Sequence, residues 1–414
     1  MRSKIIDNRY EVVHVLGQGI RGEVYKVVDL STQQHKALKI LTNLGPDAAQ
    51  STLLKEEFRR LTKLKHLHIV PVYDFGFISK GTPYFTMEYM AGGPLSWDRT
   101  PYNESLLCEM LGRICLALQY IHSRGYIHGD IKPDNVLLGT CDIQSWKSDQ
   151  KLPLKIADFS FAESGLEASV DKEKPLTGTV PFLAPEKFFS LPPDYRSDLY
   201  SLGVLLYYLS TGSYPFKGKD FSEYVHNILT RHPVPPSRLN REISERLEFI
   251  IVRLLEKEPL KRFQSAQEIL NLLGMIPDNP GQRIVQELSE CAVINDKFIG
   301  RESEMSLFRD LQRKTEEGQG QVLLIYGESG IGRSQLVREM KTVSQVGGFK
   351  VVLTRCEPEY SSSFRPFRDI LTQLGMKEMV SADTVPATEV QHLLKFLDAA
   401  EEAFNDRTAE EMWQ

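Results

Sequence analysis

The sequence predicts an α+β chain of two unlike halves, an antiparallel sheet with one helix and then a helical block, followed by a partial α/β unit around a second glycine-rich loop. Three observations carry this. Over residues 10–41 the runs EVVHVL, EVYKVVDL and HKALKIL are rich in apolar and β-branched residues, and a glycine loop and the polar turn STQQ separate them as strands of a meander are separated. After Gly92 and Gly93 the period becomes helical: in SLLCEMLGRICLALQYIH, Leu107, Met110, Leu111, Ile114, Leu118 and Ile121 fall on one stripe. Further on, QVLLIYG, GESGIGRS and QLVREMKTV read as strand, glycine loop and helix.

Taken in order, the three strands are followed by a helix over 53–64, with Leu54, Phe58, Leu61 and Leu64 on one side and basic residues on the other. YFTMEYM reads as a further strand. The helical half closes near Leu273, where GMIPDNPGQ gathers Gly, Pro and Asn. The predicted organisation is therefore a first domain over 1–273, with its small half at 1–91 and its large half at 92–273, a linker over 274–296, and an incomplete module over 297–414. No internal repeat or low-complexity tract is visible.

With 414 residues, 41% apolar and 25% charged, the chain has the composition of a soluble globular protein of two domains. A net charge of -5 argues against nucleic acid or an anionic membrane as the main partner. Cys108, Cys115, Cys141, Cys291 and Cys356 are scattered with no CxxC pair, as reduced thiols are rather than disulfides or zinc ligands. The start, MRSKIIDNRYEVVHVL, lacks a signal-peptide pattern, and the densest apolar run, SLGVLLYYL, is too short to span a bilayer. The expected location is the cytoplasm.

The chemistry-bearing residues begin at Gly17, Gln18, Gly19, Ile20, Arg21, Gly22, Glu23 and Val24. Lying between two strands, these glycines can form a backbone flap over phosphates, although a plain glycine hairpin has the same pattern. Lys39 is an inward-facing lysine on a strand that otherwise reads as buried, and a charge there needs partners. For any single strand lysine, an edge residue with its stem along the surface is the plainer reading. The decisive stretch is YIHGDIKPDNVLL. Asp130 can orient a hydroxyl and accept its proton, Lys132 can neutralise a transferring phosphoryl group, and Asn135 can bind Mg²⁺. Asp158, in IADFS after a short apolar strand, offers a second metal carboxylate.

On these motifs, residues 10–273 resemble the eukaryotic-type Ser/Thr protein kinases of bacteria. The resemblance implies the two-lobed protein kinase fold, ATP with Mg²⁺ (Mn²⁺ as an alternative), and protein substrates with serine or threonine acceptors. It implies that Glu57 on the first helix partners Lys39, with adjacent Glu56 turned elsewhere. It places Leu16, Gly17, Gln18, Gly19, Gly22, Val24, Ala37, Lys39, Met87, Glu88, Met90 and Leu137 around ATP. There Val24, Ala37 and Leu137 would sandwich the adenine, and Glu88 and Met90 would offer backbone hydrogen bonds. Thr179 before Ala184, Pro185 and Glu186 looks like the end of an activation segment. Asp198 looks like an aspartate-anchored helix start, and Arg262 is placed to pair with Glu186. Lysine at 132 is the family's choice for Ser/Thr acceptors.

Four features depart from the family pattern. Gly129 stands where many kinases have an arginine that holds a phosphorylated loop, so control by that switch is not expected. Ser160 replaces the glycine after Asp158-Phe159, and Arg21 replaces a common aromatic at the loop tip. The polar segment GTCDIQSWKSDQKLPLK is longer than the pattern needs and reads as a surface loop, with a docking element as the sharper alternative.

The second glycine loop, Gly327, Gly330, Gly332, Arg333 and Ser334, follows an apolar run and opens a helix, the context of a P-loop. Arg333 replaces the lysine that reaches the β/γ-phosphates, and its planar fork is not an equivalent point charge. With FIGRESEM and CEPEYSSSFRPFRDIL, residues 297–375 resemble the start of signalling ATPases of the AAA/STAND type, within a partial α/β P-loop NTPase domain. No Walker B run is visible, so hydrolysis by this module is not expected. The principal reading is an active Ser/Thr kinase with an attached nucleotide-sensing module. An ATP-binding pseudokinase scaffold is the alternative, suggested by Gly129, Ser160 and Arg21 and opposed by the complete set Lys39, Glu57, Asp130, Asn135 and Asp158. A switch driven by the second loop is the third reading, opposed by Arg333 and the missing Walker B.

Overall fold

The computed structural model describes residues 4–19, 22–40, 48–78, 81–96, 103–140, 152–158, 163–164, 180–188, 194–275, 300–328, 330–354 and 370, without the side chains of 48–54, 163, 164 and 180. Arg21, Cys141, Ser160, Thr179, Cys291 and Cys356 lie outside the described residues, as do the polar stretch 141–151 and almost all of 274–296. By contact the chain falls into two units. One comprises Met1–Asn43, Asp74–Phe85 and Lys297–Gln414; the other comprises Leu44–Tyr73 and Thr86–Asp296.

The first unit is built on an antiparallel sheet. Its strands are β1 (Ile5–Ile6), β2 (Tyr10–Gly19), β3 (Gly22–Asp29), β4 (Gln34–Ile40), β5 (Val72–Ile78) and β6 (Thr82–Glu88), in the order β1-β2-β3-β4-β6-β5. Register decides what each face carries. Val24 lies opposite Lys39 and Lys26 opposite Ala37, so Val24, Ala37 and Lys39 share one face. Val27, Leu38 and Ile40 point the other way, into a cluster with Ile6, Tyr10 and Tyr84. β1 and β5 are short apolar strands that the sequence reading did not pick out.

The same unit holds two further helices, which we label α9 (Glu302–Glu316) and α10 (Arg333–Gly347). They pack through Met305, Leu336 and Met340, with Phe308, Leu323, Ile325 and Val343 against them. The predicted strand at 321–327 is not realised as a paired strand. Leu323 and Ile325 turn to the helices, whereas Val322, Leu324 and Tyr326 are exposed. The alternation of a strand is present, but no neighbouring strand among the described residues supplies ladder hydrogen bonds.

The second unit is mainly helical: α1 (Ala48–Lys63), α2 (Glu104–His122), α3 (Pro185–Phe188), α4 (Tyr195–Thr211), α5 (Phe221–Thr230), α6 (Pro236–Leu239), α7 (Glu245–Leu254) and α8 (Ala266–Leu273). Short strands β7 (Gly93–Pro94), β9 (Val136–Leu138) and β10 (Leu154–Ile156) make one small sheet, and β8 (Tyr126–Ile127) pairs with β11 (Glu163–Ser164). α2 starts on an Asn103 cap that accepts the Leu106 N–H, and its predicted stripe, Leu107 to Ile121, is buried. α4 is apolar on nearly every side, from Leu199 to Leu209, and runs through the core as such a helix must. It crosses α7 closely: a Cβ at Gly203 would stand 2.7 Å from Leu254 Cβ, so only glycine fits without a shift.

Candidate active site

Asp130 sits in a loop fixed from below by one carboxylate. Asp198, in the first turn of α4, accepts the backbone N–H of His128 (2.8 Å) and of Gly129 (2.7 Å), and its Oδ2 lies 2.8 Å from His122 Nε2. The helix itself is capped by Asp194, which accepts the Arg196 N–H, so Asp198 anchors the loop and not the helix start. Burial pulls the Asp198 carboxyl up, but the hydrogen bond and charge of His122, with the Gly129 N–H, outweigh it and hold it below its usual value. His128 is fully buried. Its Nδ1 accepts the Asp130 N–H at 3.3 Å, which leaves the proton on Nε2 to be donated to the Ala157 carbonyl at 3.1 Å. Burial keeps that imidazole neutral, pushing its pKa down.

Gly129 adopts φ 77°, the left-handed region, and its N–H is spoken for by Asp198. Glycine at this place thus has a backbone reason, besides the absence of an arginine side chain. The Gly129 carbonyl accepts from Lys187 Nζ at 3.0 Å, a contact the sequence did not suggest.

Above this base the polar groups converge. Asn135 Nδ2 donates to the Asp130 carbonyl (2.8 Å) and to Asp130 Oδ2 (2.9 Å), and Lys132 Nζ lies 2.7 Å from the same Oδ2. Asp130 and Asn135 are buried, at 4% and 5% exposure, while Lys132 stays partly open. β9 begins immediately after Asn135 and pairs with β10 in the register Ile156↔Val136. The Ala157 N–H donates to the Asn135 carbonyl at 2.8 Å, which sets Asp158 one residue from Asn135 across the ribbon. Asp158 holds φ 62°, an uncommon conformation for a non-glycine residue and one that clusters at functional sites. With its amide nitrogen on Asp130, Asn135 presents its carbonyl oxygen elsewhere. That oxygen and the Asp158 carboxylate are the hard donors Mg²⁺ prefers, and Mg²⁺ completes its shell with water and phosphate. The residues fit such an ion.

Beside the ribbon lies an apolar floor of Val70, Met90 and Ala157, with Met87 and Leu137 packed against it. The Glu88 N–H donates to the Pro71 carbonyl at 3.0 Å, and its carboxylate pairs with Lys155. Of the backbone groups expected at Glu88 and Met90, the Glu88 N–H is therefore committed within the protein. On α1, Glu57 is buried at 6%, whereas Glu56 pairs with Arg60 at 3.7 Å on the surface. In the sheet unit, Lys39 is 7% exposed, with its Nζ 5.9 Å from the Phe85 ring centre. Leu16 is exposed, Gln18 donates to Glu23 at 3.0 Å, and Gly19 pairs with Gly22 to close the β2–β3 hairpin.

Glu186 and Arg262 form a two-bond ion pair, 2.8 and 2.7 Å, and Ser197 Oγ donates to Glu186 at 2.6 Å. Thr179 lies outside the described residues. In the second glycine loop, Gly330 and Gly332 take φ 88° and 97°, and Gly332 opens α10 with Arg333 and Ser334 in its first turn, both exposed. Arg301 donates to the Ile331 carbonyl at 3.2 Å, tying α9 to this loop.

The chain belongs to the protein kinase domain family, whose model matches residues 10–272. A model described as AAA ATPase domain matches 297–411. Among curated relatives, a probable serine/threonine-protein kinase of Clostridium acetobutylicum is 29% identical over 285 residues, covering 67% of this chain and 41% of that protein. The serine/threonine-protein kinase PknB of Mycolicibacterium smegmatis is 31% identical over 289 residues, 66% of this chain and 45% of its own length. PknB of Mycobacterium tuberculosis is 30% identical over 273 residues, 64% and 42%. The chain spans less than half the length of these relatives. The family uses ATP and a divalent metal. No helix among the described residues is long and apolar enough to cross a membrane.

Proposed function

We propose that this chain is an ATP-dependent Ser/Thr protein kinase, acting in the cytoplasm with Mg²⁺ (Mn²⁺ as a substitute), and that the module behind it binds nucleotide. The observation that carries the reading is the cluster in which Asp130 Oδ2 is shared by Lys132 (2.7 Å) and Asn135 (2.9 Å). In this reading Asp130 orients the acceptor hydroxyl and takes its proton. Lys132 offsets charge on the transferring phosphoryl group, and Asn135 and Asp158 hold the metal. The bound metal would neutralise phosphate charge. Lys39, partnered by Glu57, would take the phosphates, and Val24, Ala37, Met87, Met90 and Leu137 the adenine. Glu186, Asp198 and Arg262 act as scaffold. The position of Gly129 in the left-handed region weakens its use as a sign of a degenerate site.

The test is transfer of labelled phosphate from ATP and Mg²⁺ to the chain itself and to a basic model protein. Asp130→Asn should lower transfer by about 10²- to 10⁴-fold, the usual contribution of a positioned general base. Equal incorporation by wild type and variant would overturn the assignment, and nucleotide binding with no transfer by either would favour the scaffold reading.

A further inference from the structure

The outer face of the sheet, turned away from Lys39, carries a charge cluster that phosphoryl transfer does not use. Asp29 accepts from Arg9 at 3.0 and 2.8 Å and from Lys36 at 2.7 Å. Asp74 accepts from the Tyr10 hydroxyl at 3.1 Å and lies 3.3 Å from Arg9 and 3.6 Å from Lys36. These two carboxylates and two cations balance one another. Asp74 nonetheless takes a third cation, Lys341 Nζ at 2.7 Å, and the Gln345 amide at 3.3 Å. Both belong to α10, the helix that opens at Gly332 of the second glycine loop. Beyond its end, Lys350 lies 3.4 Å from Asp7.

We propose that residues 341–350 form a detachable clamp on the outer face of the small sheet, through which the loop at 327–334 is connected to the sheet that carries Lys39. Three observations make the clamp detachable. If Lys341 leaves, Asp74 keeps Arg9, Lys36 and Tyr10, so no buried charge is orphaned, which is the usual obstacle to opening a charged interface. The contact is incompletely closed: a groove of about 220 Å³, partly open to solvent, remains between Tyr10, Phe75 and Tyr84 on the sheet and Phe349 and Val351 beyond the helix. Gln345 Oε1 is buried there without a partner. The connection follows from helix geometry. Arg333 and Gln345 lie near opposite ends of one continuous helix, about 18 Å apart at the usual rise, so displacement at the loop is carried to Asp74 with little loss. The inference deepens the proposed kinase reading by naming how the attached module would act on it.

Hydrogen exchange in the full chain tests this without relying on catalysis. In Lys341→Glu, which places a carboxylate against Asp74, exchange at 72–78 and 345–352 should rise together by about tenfold or more, with α2, α4 and α9 unchanged. Lys341→Met, which keeps the stem and removes the charge, should give a smaller rise in the same segments. Unchanged exchange at 72–78, or a rise that extends to α9, would overturn the clamp. For the connection, Mg-ADP added to the Lys39→Ala, Asp158→Ala variant should alter exchange at 72–78 by at least twofold. No change there would overturn it. Failure of the kinase reading shows separately, in the phosphotransfer assay.

Discussion

Arg262 is the most completely bonded side chain at the base of the candidate site, and removing it should be expensive in a way that can be apportioned. The guanidinium is fully buried and uses all five donors: Nη1 and Nη2 each bond Glu186, Nε bonds the Glu256 carbonyl at 2.7 Å, and the remaining two reach the Arg196 and Lys257 carbonyls at 3.0 Å. In Arg262→Met the Glu186 carboxylate loses its counter-charge in a buried place, a loss of about 3–5 kcal/mol. Adding Glu186→Leu removes the stranded charge, so the double variant should recover about 2 kcal/mol of that. The three carbonyls and Ser197 stay short of a partner at about 1 kcal/mol each or less. Urea unfolding followed by circular dichroism gives the three values. Linkage adds a second check. Burial pushes the Glu186 carboxyl up, but the hydrogen bond and charge of Arg262, with Ser197, bring it below its usual value. Its contribution is therefore present above the unfolded carboxylate range near about 4.3 and is lost as pH falls through the lower folded value. The gap between wild type and Arg262→Met should narrow as pH drops below about 4. A single-variant loss under about 1 kcal/mol, or a double variant as unstable as the sum of its singles, would refute the reasoning.

Two further substitutions probe other sites. Gly129→Ala must hold φ 77° with a Cβ, which should lower stability by about 1 kcal/mol; thermal unfolding measures it, and a neutral or stabilising result would remove the backbone explanation of that glycine. Lys257 has its Nζ buried without a hydrogen bond, 3.6 Å from the Phe216 ring centre, and burial followed by the charge of Arg262 lowers its pKa to about 7. The unfolded chain binds more protons than the folded one between about pH 7 and 10.4, so stability from this group rises with pH across that window. Lys257→Met should stabilise by about 1 kcal/mol at pH 7, after discounting for partial solvent access, and the gain should fade towards pH 10. A gain that does not change with pH would point to packing alone.

Much of this molecule was legible because its patterns are local. The stripe from Leu107 to Ile121 is a helix buried on that stripe, and Asp130, Lys132 and Asn135 are brought together by a turn only a few residues long. What was not legible depends on distant partners. The run at 321–327 has strand alternation, yet a strand exists only where another chain segment completes its ladder. The committed N–H of Glu88, the Lys187 bond to Gly129 and the Asp74–Lys341 pair join residues whose separation in sequence carries no periodic signal. His128 could have been noticed, since a histidine in an apolar run beside a candidate base demands a hydrogen-bonding account. Its partners could not.

The bonds of Asp198 bear on the order in which the protein assembles. One carboxylate on α4 fixes two consecutive loop amides about seventy residues earlier in the chain and a histidine of α2. The loop that carries Asp130 can reach its working shape only after α2 and α4 have met. A folding intermediate with both helices formed but not yet docked would carry every residue of the site without the anchor that fixes the His128 and Gly129 amides. Maturation of the site, followed by burst-phase exchange at the His128 and Gly129 amides, should therefore lag behind helix formation and coincide with closure of the helical core.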